Sequence, residues 1–317
     1  MASFADDLRR YGPESTRRLD PTAAKAYCAE LADRHYENFT VVGLLTPREL
    51  RPHFAAVYAF CRWSDDLGDE VGDRDQSRRL LAWWREELDA AFEGEPRHPV
   101  MIALRETIVE FGMPIDPFQA LISAFEQDQD VLEYDTYEQL LDYCKRSADP
   151  VGRLVLYLAR SFDEDNARLS DRTCTALQLA NFWQDVSRDL AIGRIYLPSE
   201  DRRRFGVRGD DLRARRFTPD FAALLRFEID RTRALFEEGR ALVDRLPGRM
   251  RLAVDLFGRG GGAILDLIEK CGYDVLSRRP RLTKLDKIGL AGGALLASWR
   301  SKPSASARVS KAAEAES

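Results

Sequence analysis

The chain has 317 residues, 44% of them hydrophobic and 32% charged, with a formal net charge of −5. That composition permits a large buried core in one or two domains, excludes a membrane bundle, and argues against a general nucleic-acid binder, which is usually basic. Five scattered cysteines with no CxxC pair read as buried thiols of a reducing compartment, and three histidines without an HExxH motif do not suit a zinc enzyme.

The opening residues, MASFADDLRR, lack the apolar core of a secretion signal, so a cytoplasmic location is expected. Apolar residues then recur at spacings of three and four over 22–37, 47–70, 76–93, 99–111, 116–128, 136–146, 150–162, 170–191, 219–245 and 248–272, predicting helices there. Short breakers such as DPT, TPRE, GEPRHP, MPID, LPSED and LPGR separate them. In TPRE, Thr46 is the expected cap, Pro47 the first helical residue and Glu49 the capping-box partner. Alternating strand patterns are nearly absent, and no linker or solenoid repeat divides the chain. The expectation is one all-α domain over residues 1–300, followed by a tail, 301–317, of disordered composition. No apolar run reaches the ~18 residues of a spanning helix. The stretch IGLAGGALLASW, 288–299, suits either a terminal packing helix or a peripheral contact with the inner membrane surface.

The stretch RWSDDLGDE, 62–70, ends a mostly apolar helical segment in a cluster of acids. Successive helical residues are ~100° apart, so Tyr58, Arg62, Asp65 and Asp69, spaced 4, 3 and 4, share one face. Asp65 and Asp69 form a like-charge i,i+4 pair, which costs a few tenths of a kcal/mol in an isolated helix. Asp66 and Glu70 repeat the repulsion beside them, and Gly68 adds roughly 1 kcal/mol of helix cost. A bridging cation would remove the repulsion, and hard oxygen ligands suit Mg²⁺. The competing reading of this stretch alone is a solvated acidic helix end.

A second stripe weighs against a merely solvated end. In ALQLANFWQDVSRDLAIGRIYLP, 176–198, Gln178, Asn181, Asp185 and Asp189 are spaced 3, 4 and 4 on an otherwise apolar helix. Two such helices facing across a bundle surround a gap with four carboxylates. Only metal, or metal with a polyanion, makes that charge tolerable in a partly dry site. Di-iron bundles require Glu-x-x-His motifs on two of their helices, and no predicted helix here carries one, so several Mg²⁺ ions with a diphosphate are favoured. An apolar remainder of the cavity would suit a substrate with a diphosphate head and a hydrocarbon tail.

The ordered set YAFCRWSDDLGDE, YDTYEQLLDYCKRSADPVG, NFWQDVSRDLAIGRIYLP and GYDVLSRRPRL resembles the squalene/phytoene synthase family of head-to-head prenyl transferases, over about residues 25–285. The resemblance implies an isoprenoid-synthase helical bundle with a central cavity. It gives Asp65, Asp69, Asn181, Asp185 and Asp189 the metal role, and Tyr58, Arg62, Gln178, Arg278 and His35 contacts to diphosphate. Tyr143, Val151, Gly152 and Phe39, with the neighbouring Asn38, inherit positions around the substrate. Asp65, Asp69, Asp185, Asp189 and Arg62 would carry the catalysis.

Within that family, ENFTV, RSADPVG, NFWQDV, RFGV and GYDVLSRRP are similar to the hydroxysqualene synthase branch. The implied substrate is presqualene diphosphate, with water capturing the cation and no NADPH. Condensing relatives making presqualene diphosphate or phytoene usually carry AGxVG where this chain has ADPVG. A condensing enzyme of that kind and a non-catalytic scaffold are the rival readings, although a scaffold should have lost stripe acids. The chain departs from many members at Gln184, Arg188 and Gly261. Arg188 falls off the Asp185/Asp189 stripe by helical angle. Gly260–Gly262 leave room either for the quenching water or for close helix packing. GRGGGA, 258–263, formally matches a dinucleotide fingerprint but has no βαβ setting. His53 and His98 read as surface or capping residues. Arg194 and Tyr196 follow the second stripe closely enough either to close the site or simply to pack.

Overall fold

The computed structural model describes residues 3–34, 47–283, 286 and 289–290. Its α-helices in chain order are α1 (Phe4–Tyr11), α2 (Pro21–Arg34), α3 (Arg51–Asp69), α4 (Arg74–Glu93), α5 (Pro99–Phe111), α6 (Asp116–Gln127), α7 (Tyr137–Ser147), α8 (Asp149–Leu158), α9 (Glu164–Ala191), α10 (Ser199–Arg204), α11 (Gly209–Arg213), α12 (Pro219–Gly239), α13 (Leu242–Arg245) and α14 (Gly248–Lys270). Among the described residues the only β feature is one isolated bridge between Glu133 and Ile195. The fold is the expected all-α bundle. No described helix is long and apolar enough to cross a membrane.

Local chemistry sets the helix ends. Asp73, Thr136, Asp163 and Thr218 each accept a backbone N–H of the first turn of α4, α7, α9 and α12. His98 caps α5 through its ring nitrogen, ahead of Pro99, and Gly112 ends that helix at φ 61°. His98 is therefore a cap but not a surface residue: it is buried against Trp63 and Trp84. His53 is buried too, its Nδ1 3.0 Å from Thr107 Oγ1.

Three boundaries differ from expectation. TPRE does not open the helix directly: a 3-10 turn at Arg48–Leu50 precedes α3, and Thr46 lies outside the described residues. The segment 219–245 is broken at Gly239, where a Cβ would fall 2.9 Å from the Thr173 backbone nitrogen and closer still to its Oγ1. Residues 164–169, mostly polar and with too few apolar positions to show a period, extend α9 backward to its Asp163 cap.

Two large cores result. The first gathers α2–α6 around Phe60, Trp63, Trp84, Leu104 and Phe118. The second gathers α7, α9, α12 and α14 around Trp183, Phe221, Leu224 and Leu265. A smaller cluster of Leu156, Ala167, Leu242 and Leu246 sits beneath them. Helix α3 belongs to the first core and α9 to the second, so the two acidic stripes lie along the seam.

Gly261 sits where α14 packs against α12 and α9. Its Cβ would fall on the Phe236 ring and 2.8 Å from Leu177, so this glycine serves close helix packing and leaves no water path at its own position. The whole GRGGGA run lies inside α14 and forms no phosphate-binding turn.

Candidate active site

Helix α3 runs from an apolar cavity to an acidic rim. Phe54, Val57, Tyr58 and Cys61 line a cavity of about 250 Å³, whose walls are almost wholly carbon. One turn further, Arg62 forks onto Asp66, with Nε 3.0 Å from Oδ2, and lies 3.4 Å from Asp65. Burial, then the neighbouring Asp69 charge, pushes the Asp65 carboxyl up to about 6, against the pull of Arg62 and Arg194. Burial likewise pushes Asp66 up to about 7 despite its arginine.

Helix α9 repeats the plan. Ser170, Thr173, Cys174 and Leu177 line the same cavity, and the acids follow in later turns. In both helices, therefore, the cavity residues precede the acids, which places one charged rim over one greasy pocket. Helix α8 closes the side wall with Val151, Gly152, Val155 and Leu156. Burial, then Asp185, pushes Asp189 up to about 7, and Asp69 on the opposite helix contributes to the rise. The two stripes thus feel each other's charge.

Arg194 ties them together. Its Nη2 donates to Asp69 Oδ1 at 2.9 Å across the seam. Behind it lies Asp128, at the end of α6, which is buried and accepts from the Tyr143 hydroxyl at 2.8 Å. The other oxygen, Oδ1, is buried without a hydrogen-bond partner, and burial pushes this carboxyl up to about 7. Tyr196 stacks on Phe182 with ring centroids 3.7 Å apart and closes this wall.

A strap after α14 covers the other end of the second stripe. Arg279 forks onto Asp185, with Nη2 3.0 Å from Oδ2, and also reaches Gln184 Oε1 at 3.0 Å. Gln184 in turn donates to the Pro280 carbonyl at 2.7 Å. Arg188 lies 4.0 Å from Asp185, an i,i+3 pair that helical geometry places side by side, so the expectation that it stands off the stripe does not hold.

Most of the residues singled out in the sequence meet here. Asp65, Asp69, Asp185, Asp189 and Arg62 share the seam; Tyr58, Val151 and Gly152 line the cavity. Gln178 is half-buried and Asn181 exposed, one and two turns along α9 from Cys174. Two assignments shift. Tyr143 backs the acid rim through Asp128 and does not line the cavity. Arg278 is exposed, and it is its neighbour Arg279 that holds Asp185. His35, Asn38 and Phe39 lie outside the described residues. Sequence reasoning misses Asp128 and Arg279, whose only signal is an acid and an arginine beside predicted site motifs.

Among the described residues, no three acidic, histidine or cysteine side chains converge closely enough to cage a metal ion by themselves. The rim is a divided set of hard oxygen donors: Asp65, Asp66, Asp69, Asp128, Asp185 and Asp189 outnumber Arg62, Arg194, Arg188 and Arg279.

Comparison with known proteins accords with this geometry. The family model for squalene/phytoene synthase matches residues 32–286. A phytoene synthase of Thermus thermophilus is 34% identical over 83% of this chain and 89% of its own length. A hydroxysqualene synthase of Zymomonas mobilis is 29% identical over 80% and 86%. The crystal structure of squalene synthase HpnC from Alicyclobacillus acidocaldarius superposes with a TM-score of 0.76 at 50% identity, covering 80% of this chain and 95% of that one. The matched span contains both acidic helices, the cavity wall and the strap, and the chain belongs to the squalene/phytoene synthase family.

Proposed function

We propose that this chain ionises presqualene diphosphate in a Mg²⁺-dependent step and lets water capture the cation, giving hydroxysqualene. The observation that carries the reading is the common layout of α3 and α9, each leading from one apolar cavity to one acidic rim. A diphosphate with a hydrocarbon tail needs both halves. The donor set fits Mg²⁺, which is held through one or two carboxylates together with substrate phosphates and retained water. Asp65, Asp69, Asp185 and Asp189, with Asn181 beside them, would hold it; bound there, it would neutralise negative charge developing on the leaving diphosphate.

The chain's own groups do the rest. Arg62 and Arg279, which hold Asp66 and Asp185 in the free protein, would supply donors to that charge once diphosphate is bound. The carbon–oxygen bond to diphosphate breaks, and its electron pair leaves with the phosphate. The cyclopropane then opens over walls of Phe54, Val57, Leu177 and Phe257, which offer no nucleophile. Aromatic faces such as Phe54 and Phe257 stabilise a nearby cation by ~0.5–2 kcal/mol each. Water adds to the final cation and loses a proton. At about 250 Å³ the cavity is just below the ~300–1,000 Å³ of common ligand pockets, so it receives part of the hydrocarbon.

A second reading, condensation of two prenyl diphosphates, is favoured by the identity to a phytoene synthase. Purified protein is to be incubated with presqualene diphosphate, or with farnesyl or geranylgeranyl diphosphate, with and without Mg²⁺. Alcohol formed from presqualene diphosphate only when Mg²⁺ is present is the expected result. A diphosphate or phytoene product from the simple prenyl donors, with presqualene diphosphate untouched, overturns the first reading in favour of the second.

A further inference from the structure

Arg194 is placed by the backbone before its side chain makes any contact. Gly193 adopts φ 82°, and the Arg194 and Gly193 amides donate to the Asp189 and Leu190 carbonyls at 2.8 and 3.3 Å. This is a Schellman ending of α9, and its third-from-last helical residue is the stripe acid Asp189. The next amide, Ile195, donates to the Leu132 carbonyl at 2.7 Å, fixing the chain against the segment after α6. Arg194 is thereby directed back over the seam, with a side chain only 13% exposed, onto Asp69. Asp65, Asp128 and Asp189 all lie within the field of its guanidinium.

We propose that Arg194 is a resident counter-cation of the acidic rim: it bridges the two stripes in the free protein and competes with the divalent ion for Asp69. The inference rests on the function proposed above and adds to it a residue that sets metal affinity and keeps the rim stable when no ion is bound. A long, fixed cation among carboxylates explains how the rim tolerates its charge in the free state. Arg194 occupies Asp69 Oδ1, so an ion can take both oxygens of that carboxylate only as Arg194 lets go. Arg194 is a positioning residue here, acting on diphosphate only through the acids it neutralises.

The test measures Mn²⁺ binding directly, by electron paramagnetic resonance or calorimetry, in wild-type protein, Arg194→Gln and Arg194→Lys, with and without inorganic pyrophosphate. Removing a fixed charge a few ångströms from the ligands is worth a kcal/mol or more at protein-surface dielectric, so Arg194→Gln should bind Mn²⁺ alone about tenfold more tightly. Arg194→Lys keeps the charge but loses the planar guanidinium and should tighten binding by less, about threefold. The melting temperature of ion-free Arg194→Gln should fall and recover on adding Mn²⁺. Unchanged or weaker Mn²⁺ binding in both folded variants overturns the proposal, because a plain diphosphate-binding arginine would alter only the pyrophosphate arm. If Arg194→Gln does not fold even with Mn²⁺, Arg194→Lys decides: tighter ion binding supports the proposal, and wild-type affinity sinks it. Wild-type protein that binds no Mn²⁺, even with pyrophosphate, removes the proposed function itself, whereas normal wild-type binding with unaltered variants removes only this inference.

Discussion

A methyl group on Gly152 would fall on Ser170 Oγ and 2.5 Å from Cys174 Sγ. The side wall of the cavity therefore depends on one missing side chain, which lets α8 lie against α9. Gly152→Ala should destabilise the protein by ~1–3 kcal/mol through overpacking, read as a lower melting temperature. Adding Ser170→Ala and Cys174→Ala should return part of the loss; no recovery would mean that the strain lies elsewhere. At the rim, Asp65→Ala or Asp185→Ala should lower turnover by at least ~10²-fold, with helical circular dichroism unchanged. Near-normal turnover of purified Asp185→Ala would remove the proposed metal role. The stripes are legible in the sequence because a helix converts spacings of 3 and 4 into one face. Their arginine partners are not. Arg278 and Arg279 are neighbours in sequence, and only the path of the strap beyond α14 decides that Arg279 faces Asp185 while Arg278 is exposed. Arg188 is the exception that periodicity does supply: three residues after Asp185, it stands beside that acid.

Among elements, α9 spans the whole site: its early turns wall the cavity, its last turns carry acids, and its end delivers Arg194. Its apolar half is readable from Leu177, Leu179, Phe182, Trp183 and Val186, while the strap across it is not. That strap depends on Gln184, a buried amide that donates to Pro280 and accepts from Arg279. In the sequence Gln184 stands out only as a departure from many family members; in the fold it is the anchor for the segment covering Asp185. Gln184→Ala should cost ~1–3 kcal/mol, the usual result of stranding buried hydrogen-bond partners. Amide exchange at residues 277–281 should quicken while α9 remains protected. Equal protection of the strap in both proteins would show that Gln184 does not hold it.

For the molecule as a whole, helical order and class are written in the apolar period, but the seam between two cores is not, because it arises only when distant helices pack. Packing also buries acids far from the rim. Burial, then Asp171, pushes Asp149 up to about 7, and burial, only partly offset by Arg231, pushes Glu228 up to about 8. Both carboxyls titrate higher in the folded chain than in the unfolded one, so folding takes up protons as the pH falls. Their contribution to stability is present at low pH and is lost as pH rises through about 7 and then about 8. The melting temperature should therefore fall as pH rises from about 4 to about 8 and level off above that, and Asp149→Asn should flatten the slope below about 7. A slope unchanged by Asp149→Asn would clear this residue of any part in it.

The central claim is that both acidic rows serve one diphosphate. Calorimetric binding of inorganic pyrophosphate in Mg²⁺ buffer, compared among wild type, Asp65→Ala, Asp185→Ala and the double variant, tests it most directly. Groups that act as a unit are not additive. Each single change should therefore remove most of the Mg²⁺-dependent affinity, and the double variant should lose little more. Strictly additive losses, or full binding after either row is disarmed, would contradict the account.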